Sequence, residues 1–196
     1  MSVDVRVQRT RTRLREAVVR LAADRPVEDI PVADLVRAAR VNRTTFYQHA
    51  TSPAAVLAEL LYEDLDAMRA DLIAGFAASA LPPRAVWERS ATAMADHLTR
   101  FDALYTAGLV GHRSATLYRL LVDHFATTAT TFLEQNPALL PPGEGTPSWR
   151  TKTQGAFLAH GTAGVVEAWL SQPAPRDPAL FVTAAVEVLP PWVLSR

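Results

Sequence analysis

The residues of this 196-residue chain best equipped for chemistry gather in one short run, VNRTTFYQHATSP, residues 41–53. Arg43, Thr44 and Gln48 carry the groups that read base edges. A guanidinium takes O6 and N7 of guanine, a carboxamide takes N6 and N7 of adenine, and a threonine methyl packs on thymine. Tyr47 and His49 have donors suited to phosphate oxygens, which position a protein on a duplex without specifying sequence. Other chemistries find little support. No nucleophile–base spacing, Gly-rich phosphate loop or HExxH-like pair occurs, so no catalytic residue is assigned. His97, His112, His124 and His160 lack a ligand spacing such as i, i+4 with a carboxylate in register, so neither metal nor cofactor is expected. The sequence has no cysteine, which excludes disulfides and thiolate ligands.

A helix as short as this run is marginal in water, so neighbouring elements must hold it. The periodicity around it is helical. Leu14, Ala17, Val18, Leu21 and Ala22 form one apolar face, which Pro26 ends. Val32, Leu35, Val36 and Ala39 form a second, short one behind Pro31. Asn42 is a good N-cap for the third helix, and Ser52-Pro53 caps and opens a fourth. Three helices with about four residues between the second and third outline a helix-turn-helix unit. Phe46 is expected to point inward to Leu35, Val36 and Leu57, leaving Arg43, Thr44 and Gln48 facing outward. A surface-packed helix that touches no ligand is the competing reading.

The remaining chain is helical too, and no alternating run resembles a strand. The fold class read from this pattern is all-α, with about nine helices. Residues 1–50 are expected to form a three-helix DNA-binding domain and 51–196 a second helical domain, with helix 53–80 as connector. Net charge is zero, yet residues 1–50 hold ten Arg against six acids, a local basic footprint on an otherwise acidic chain. No apolar run is long enough to span a membrane, and a cytoplasmic location is expected.

The stretch PVADLVRAARVNRTTFYQHATSPAAVLAEL resembles the DNA-binding signature of the TetR/AcrR-type bacterial transcription regulators. Its most specific part is TTFYQH, with Thr45, Phe46, Tyr47 and His49 on the family pattern. The resemblance spans about residues 10–60 and is architectural beyond them. It implies a homodimeric DNA-binding regulator, a repressor released by a small, largely apolar effector. The partners implied are a near-palindromic double-stranded operator, the effector and a second copy of the chain, with no membrane. DNA contacts fall to Arg43, Thr44, Thr45, Tyr47, Gln48 and His49, joined by Arg9 and Arg11 from the arginine-rich N-terminal arm and by Arg37. The arm reads equally as a solvated tail.

The same resemblance implies an apolar effector cavity. Trp87, Met94, Phe101, Tyr105, Tyr118, Phe125 and Phe157 are its candidate lining, although such a stripe is also ordinary core. It implies a dimer face on the last two helices as well, assigned to Phe157, Gly161, Gly164, Val165, Trp169, Phe181, Ala184 and Ala185. Packing within one chain is the alternative for these residues. For the whole protein the alternative is a helical ligand carrier or enzyme whose N-terminal helices bind no DNA. Four positions depart from the family pattern: Arg40 replaces a turn glycine, Ala50 a phenylalanine, Pro53 a lysine and Pro31 a threonine. Arg40 must therefore adopt a positive φ, or the turn must be built differently.

Overall fold

The computed structural model describes residues 5–78 and 81–194, and among them every regular element is helical. The elements are α1 (Val5–Ala22), α2 (Val32–Ala39), α3 (Arg43–His49), α4 (Pro53–Ala77), α5 (Pro83–Arg100), α6 (Asp102–Tyr105), α7 (Ala115–Gln135), α8 (Pro147–Leu170), α9 (Pro178–Glu187) and α10 (Pro191–Leu194). The fold is all-α, with α6 and α10 as single turns beyond the helices legible from periodicity. The connector helix expected over 53–80 runs to Ala77, and residues 79 and 80 lie outside the described part. No helix of the described part is long and apolar enough to cross a membrane.

The chain divides into two compact units, and the division is not a single cut after residue 50. The first unit takes the chain up to Glu63 and again from Phe101 to Tyr118; the second takes 64–100 and everything after Tyr118. In the first, α1, α2 and α3 bury Leu14, Val18, Leu35 and Phe46, together with Leu57 and Leu61 from the start of α4. The returning segment adds Leu104, Tyr105, Leu109 and Leu117, all nearly inaccessible. Helix α5 breaks at Phe101, where φ is −110° and ψ 30°. Beyond it α6 widens into a π-turn over Thr106–Gly111, which lets the chain turn within six residues.

Polar contacts pin this unit. Arg15 donates to Glu59 at 3.2 Å and also pairs with Glu63, and these carboxylates hold its guanidinium above its ordinary pKa. Arg25 donates to Asp34 at 2.7 Å. Glu28, from the single 3-10 turn between α1 and α2, accepts from the Ser114 hydroxyl at 2.6 Å. Ser114 Oγ in turn accepts from the Leu117 amide at 3.2 Å, closing the first turn of α7.

The second unit packs α5 against α9 and α8 against α9, with α10 laid on α5. Leu72, Phe76, Val86, Phe132, Leu133 and Leu158 make its core. Phe76, Trp87 and Phe132 meet edge to face pairwise, with centroids 4.6–5.6 Å apart. Such pairs add about 0.5–1.5 kcal/mol each beyond area burial.

Candidate nucleic-acid interface and buried cavity

The seven residues of α3 exist as a helix because both ends and one face are fixed from outside. The Asn42 side chain accepts from the Thr45 amide at 2.6 Å, so the cap lies on the second of the two amides expected, those of Thr44 and Thr45. At the far end Ser52 Oγ accepts from the Ala55 amide at 3.1 Å, and Pro53 occupies the first position of α4. Phe46 is fully buried and anchors the face turned inward. Burying a side chain of that size contributes about 1.5–3 kcal/mol.

The outward face then carries Arg43, Thr44, Tyr47 and Gln48, all exposed, with Thr45 and His49 half-buried at its flanks. The Arg43 guanidinium lies over the Tyr47 ring, 5.7 Å from its centroid, and donates to the Tyr47 hydroxyl at 3.3 Å. Tyr47 is itself braced edge-on against buried Phe46, with centroids 5.2 Å apart. The most exposed cation of α3 is therefore oriented through an aromatic relay from the core.

The turn before α3 answers the question raised by Arg40. That residue sits at φ 53°, ψ 45°, in the left-handed region. Its amide donates to the Arg37 carbonyl at 3.2 Å, and the Val41 amide donates to the Val36 carbonyl at 3.0 Å. These two bonds make a Schellman motif, normally closed by glycine. The turn is thus built in the standard way with an unfavourable residue. Ala50 leaves a gap of about 10 Å³, lined by Leu14, Arg15, Val56 and others, near where a larger side chain would anchor α3.

The flanking arginines are differently placed from a loose arm. Helix α1 begins at Val5, so Arg9 and Arg11 are exposed positions on a regular helix. A helical arm lacks the reach of an extended one, because it rises only about 1.5 Å per residue. Arg11 lines the same small gap as His49 and Ala50, which brings it beside the C-terminal end of α3. Arg37 is exposed and lies 3.3 Å from Asp34, which shares itself with Arg25.

The second unit contains a cavity of about 90 Å³, partly open to solvent. Three of the seven candidate lining residues reach it: Trp87, Met94 and Phe125. The other four stand elsewhere. Phe101, Tyr105 and Tyr118 belong to the first unit, because the break at Phe101 and the π-turn carry them out of the stripe that periodicity suggested. Phe157 is 64% exposed on the outside of α8. Arg69, His124, Thr128, Leu158 and Leu189 also line it; of these only His124 is among the histidines that the sequence offers as a polar ligand contact. His124 lies on the same α7 face as Leu120 and Phe125, which periodicity marks as buried without marking what it faces.

Two buried histidines distinguish this unit. Burial, followed by the nearby Arg69 charge, pushes His124 down to about 4. Burial likewise pushes His97 down to about 4, against the pull of Asp64, whose carboxylate lies 3.3 Å from its Nδ1. Glu28 in the first unit shows the opposite balance. Burial raises it, but the Ser114 hydroxyl and backbone amides outweigh burial and hold it below the ordinary carboxylate range.

The outer stripe of α8 and α9 is apolar and uncovered within the chain. Phe157, Leu180 and Val188 are 64%, 54% and 55% exposed. A Cβ added at Gly161 or Gly164 would meet nothing within 4 Å, so neither glycine serves a close approach inside this chain. Val165 and Ala184 are half-buried at the edge. Three of the residues assigned to this face lie beneath it. Trp169 is buried against Phe181, with centroids 5.5 Å apart, and donates to the Asp177 carbonyl at 3.0 Å. Phe181 is 1% exposed, and both Phe181 and Ala185 line the cavity.

A capped short helix after a Schellman turn, on a basic three-helix unit, defines a helix-turn-helix protein whose second helical unit holds a cavity. No protein-family model and no curated protein matches the sequence. Solved structures do match in fold. A TetR-family transcriptional regulator from Syntrophomonas wolfei superposes with a TM-score of 0.65 at 11% identity, over 92% of each chain. FadR of Thermus thermophilus, a TetR-family repressor solved with lauroyl-CoA, gives 0.57 at 19% identity, over 91% of this chain and 92% of that one. The dihydroxyacetone kinase operon activator DhaS gives 0.56 at 12%, over 91% and 93%. The chain has the all-α fold of the TetR-type regulators.

Proposed function

We propose that this chain is a homodimeric DNA-binding transcription regulator whose operator affinity is set by a small molecule in the cavity of its second unit. The observation that carries the reading is α3 itself: a helix of seven residues, held by Phe46 and two caps, that presents Arg43, Thr44 and Gln48 to solvent. A protein gains nothing in stability from such a face, whereas its groups match base edges. The solved neighbours support the reading, and they include both a repressor and an activator. Repression relieved by effector is the simplest scheme for this chain.

In the dimer, the uncovered stripe of Phe157, Gly161, Gly164, Leu180 and Val188 packs against its symmetric copy. Two α3 helices about 34 Å apart then read successive major grooves of a near-palindromic operator. For the effector to switch the protein strongly it must favour the DNA-free state by several kcal/mol, since equal affinity for both states moves nothing.

Selection of bound duplexes from a random pool tests the reading directly. It should return a two-fold site, and Arg43→Ala and Gln48→Ala should each weaken binding by about 1–3 kcal/mol while relaxing preference at separate base pairs. Circular dichroism should show both variants folded. A chain that enriches no sequence, or variants that keep the full preference, would overturn it.

A further inference from the structure

The cavity of the second unit is lined mainly by apolar residues, with Arg69, Ser90, His124, Thr128 and Thr162 as its polar members. Phe125, Met94, Leu158 and Phe181 supply the apolar wall. His124, 4% exposed, lines the same space. Among the described residues its Nδ1 is the buried side-chain nitrogen or oxygen with no hydrogen-bond partner. Buried polar atoms are nearly always matched, and an unmatched one is costly to keep.

The neighbouring hydroxyl fixes which proton His124 carries. Thr128 Oγ1 donates to the His124 carbonyl at 2.9 Å, so its single proton is spent there. The same oxygen lies 3.5 Å from His124 Nε2 and offers that nitrogen only lone pairs. The tautomer that suits this contact has its hydrogen on Nε2 and leaves Nδ1 as a bare acceptor. Burial and the charge of Arg69 keep the imidazole neutral. Arg69 pairs with Asp66 at 2.8 Å. A carboxylate would place its lone pairs against the lone pair of Nδ1. A hydroxyl would supply the missing donor.

We propose that the cavity takes a small, uncharged, single-ring molecule bearing a hydroxyl group, which donates to Nδ1 of His124 while its ring packs on Phe125, Met94, Leu158 and Phe181. An apolar cavity of about 150 Å³ takes up benzene; this one, at about 90 Å³, is smaller but partly open to solvent, so one ring is the upper limit of what it can take. The proposal rests on reading this cavity as the effector site of a regulator, but it concerns the ligand's chemistry and is tested on the protein without DNA.

The experiment is calorimetric titration of the full chain with phenol, cyclohexanol, toluene and benzoate. Phenol or cyclohexanol should bind more tightly than benzoate. The toluene-to-phenol ratio of dissociation constants should fall by about tenfold in His124→Phe, as loss of one buried hydrogen bond requires. His124→Gln, whose carbonyl can accept, should recover part of the preference. The imidazole nitrogen spectrum of the unsubstituted protein needs no variant: Nδ1 should be unprotonated, and its resonance should move when phenol is added. Tighter binding of benzoate than of either alcohol, a protonated Nδ1 before ligand, or an unchanged ratio in a folded His124→Phe would overturn the proposal. If phenol binds as expected but selected DNA is never bound, the ligand assignment stands and the regulator reading fails.

Discussion

Arg40→Gly is the sharpest test of how the turn before α3 is built. The residue closes the Schellman turn between α2 and α3 at φ 53°, ψ 45°, with its side chain exposed. An L-residue in that region costs about 1–2 kcal/mol, from its Cβ pressed toward the following carbonyl oxygen. Glycine removes this strain but returns about 0.4–1 kcal/mol through the greater freedom of the unfolded chain. The balance is a stabilisation of about 0.5–1 kcal/mol, or about 1–4 °C in melting temperature for a chain of this size. Thermal unfolding followed by circular dichroism measures it, with Arg40→Ala as the control. Alanine keeps the Cβ and so should leave the melting temperature within the small scatter of surface substitutions, about ±0.5 kcal/mol. If alanine stabilises as much as glycine, removal of the long cationic side chain explains the gain, and the strain argument is wrong. A lower melting temperature for Arg40→Gly would refute it outright.

Two further outcomes follow from the second unit. Gly164→Arg and Phe157→Glu place a charge on the open stripe of α8, where a Cβ at Gly164 meets nothing within 4 Å and Phe157 is 64% exposed. Burying such a charge unpaired costs about 3 kcal/mol or more, so dimer dissociation constants should rise on the order of a hundredfold in sedimentation equilibrium; variants that stay as dimeric as the parent would locate the interface elsewhere. His97 and His124 should give the protein an acid limb. Their folded values near 4 lie below the reference of 6.5, so the unfolded chain binds the protons first. Stability is then complete above about pH 6.5 and declines as pH falls toward about 4, by on the order of 3 kcal/mol for His124. Urea midpoints recorded across that window should drop, and His124→Phe should remove part of the drop; flat midpoints would contradict neutral burial.

What the sequence disclosed was what local rules govern. Asn42 and Ser52 each accept from an amide three residues on, and Pro53 opens α4 with its fixed φ, so their roles can be read without a structure. Phe46 and the apolar faces of α1 and α2 follow from helical periodicity alone. The cavity was less legible for a physical reason. Tyr105 shares a helical stripe with Met94 and Phe101 only if the helix stays regular, and the break at Phe101 with the π-turn beyond it ends that register. Nothing in the residue types of 101–111 announces the change. The same limit applies to Trp169 and Phe181. Periodicity marked them as apolar, but whether an apolar residue faces its own core or a second copy depends on the packing of α9, which the pattern does not contain.

The return of residues 101–118 to the first unit bears on how such a protein can be recombined. Splicing another chain onto this one at residue 50 or 63 would exchange α3 but leave behind Leu104, Tyr105, Leu109 and Leu117, along with Ser114, the partner of Glu28. The recipient would supply its own version of that segment beneath a foreign head. The outward face of α3 is exposed, while the core of its unit is completed by a stretch that returns only at Phe101, after the chain has left the unit at Glu63. The outward face of α3 is therefore easier to alter by point substitution than by transplantation.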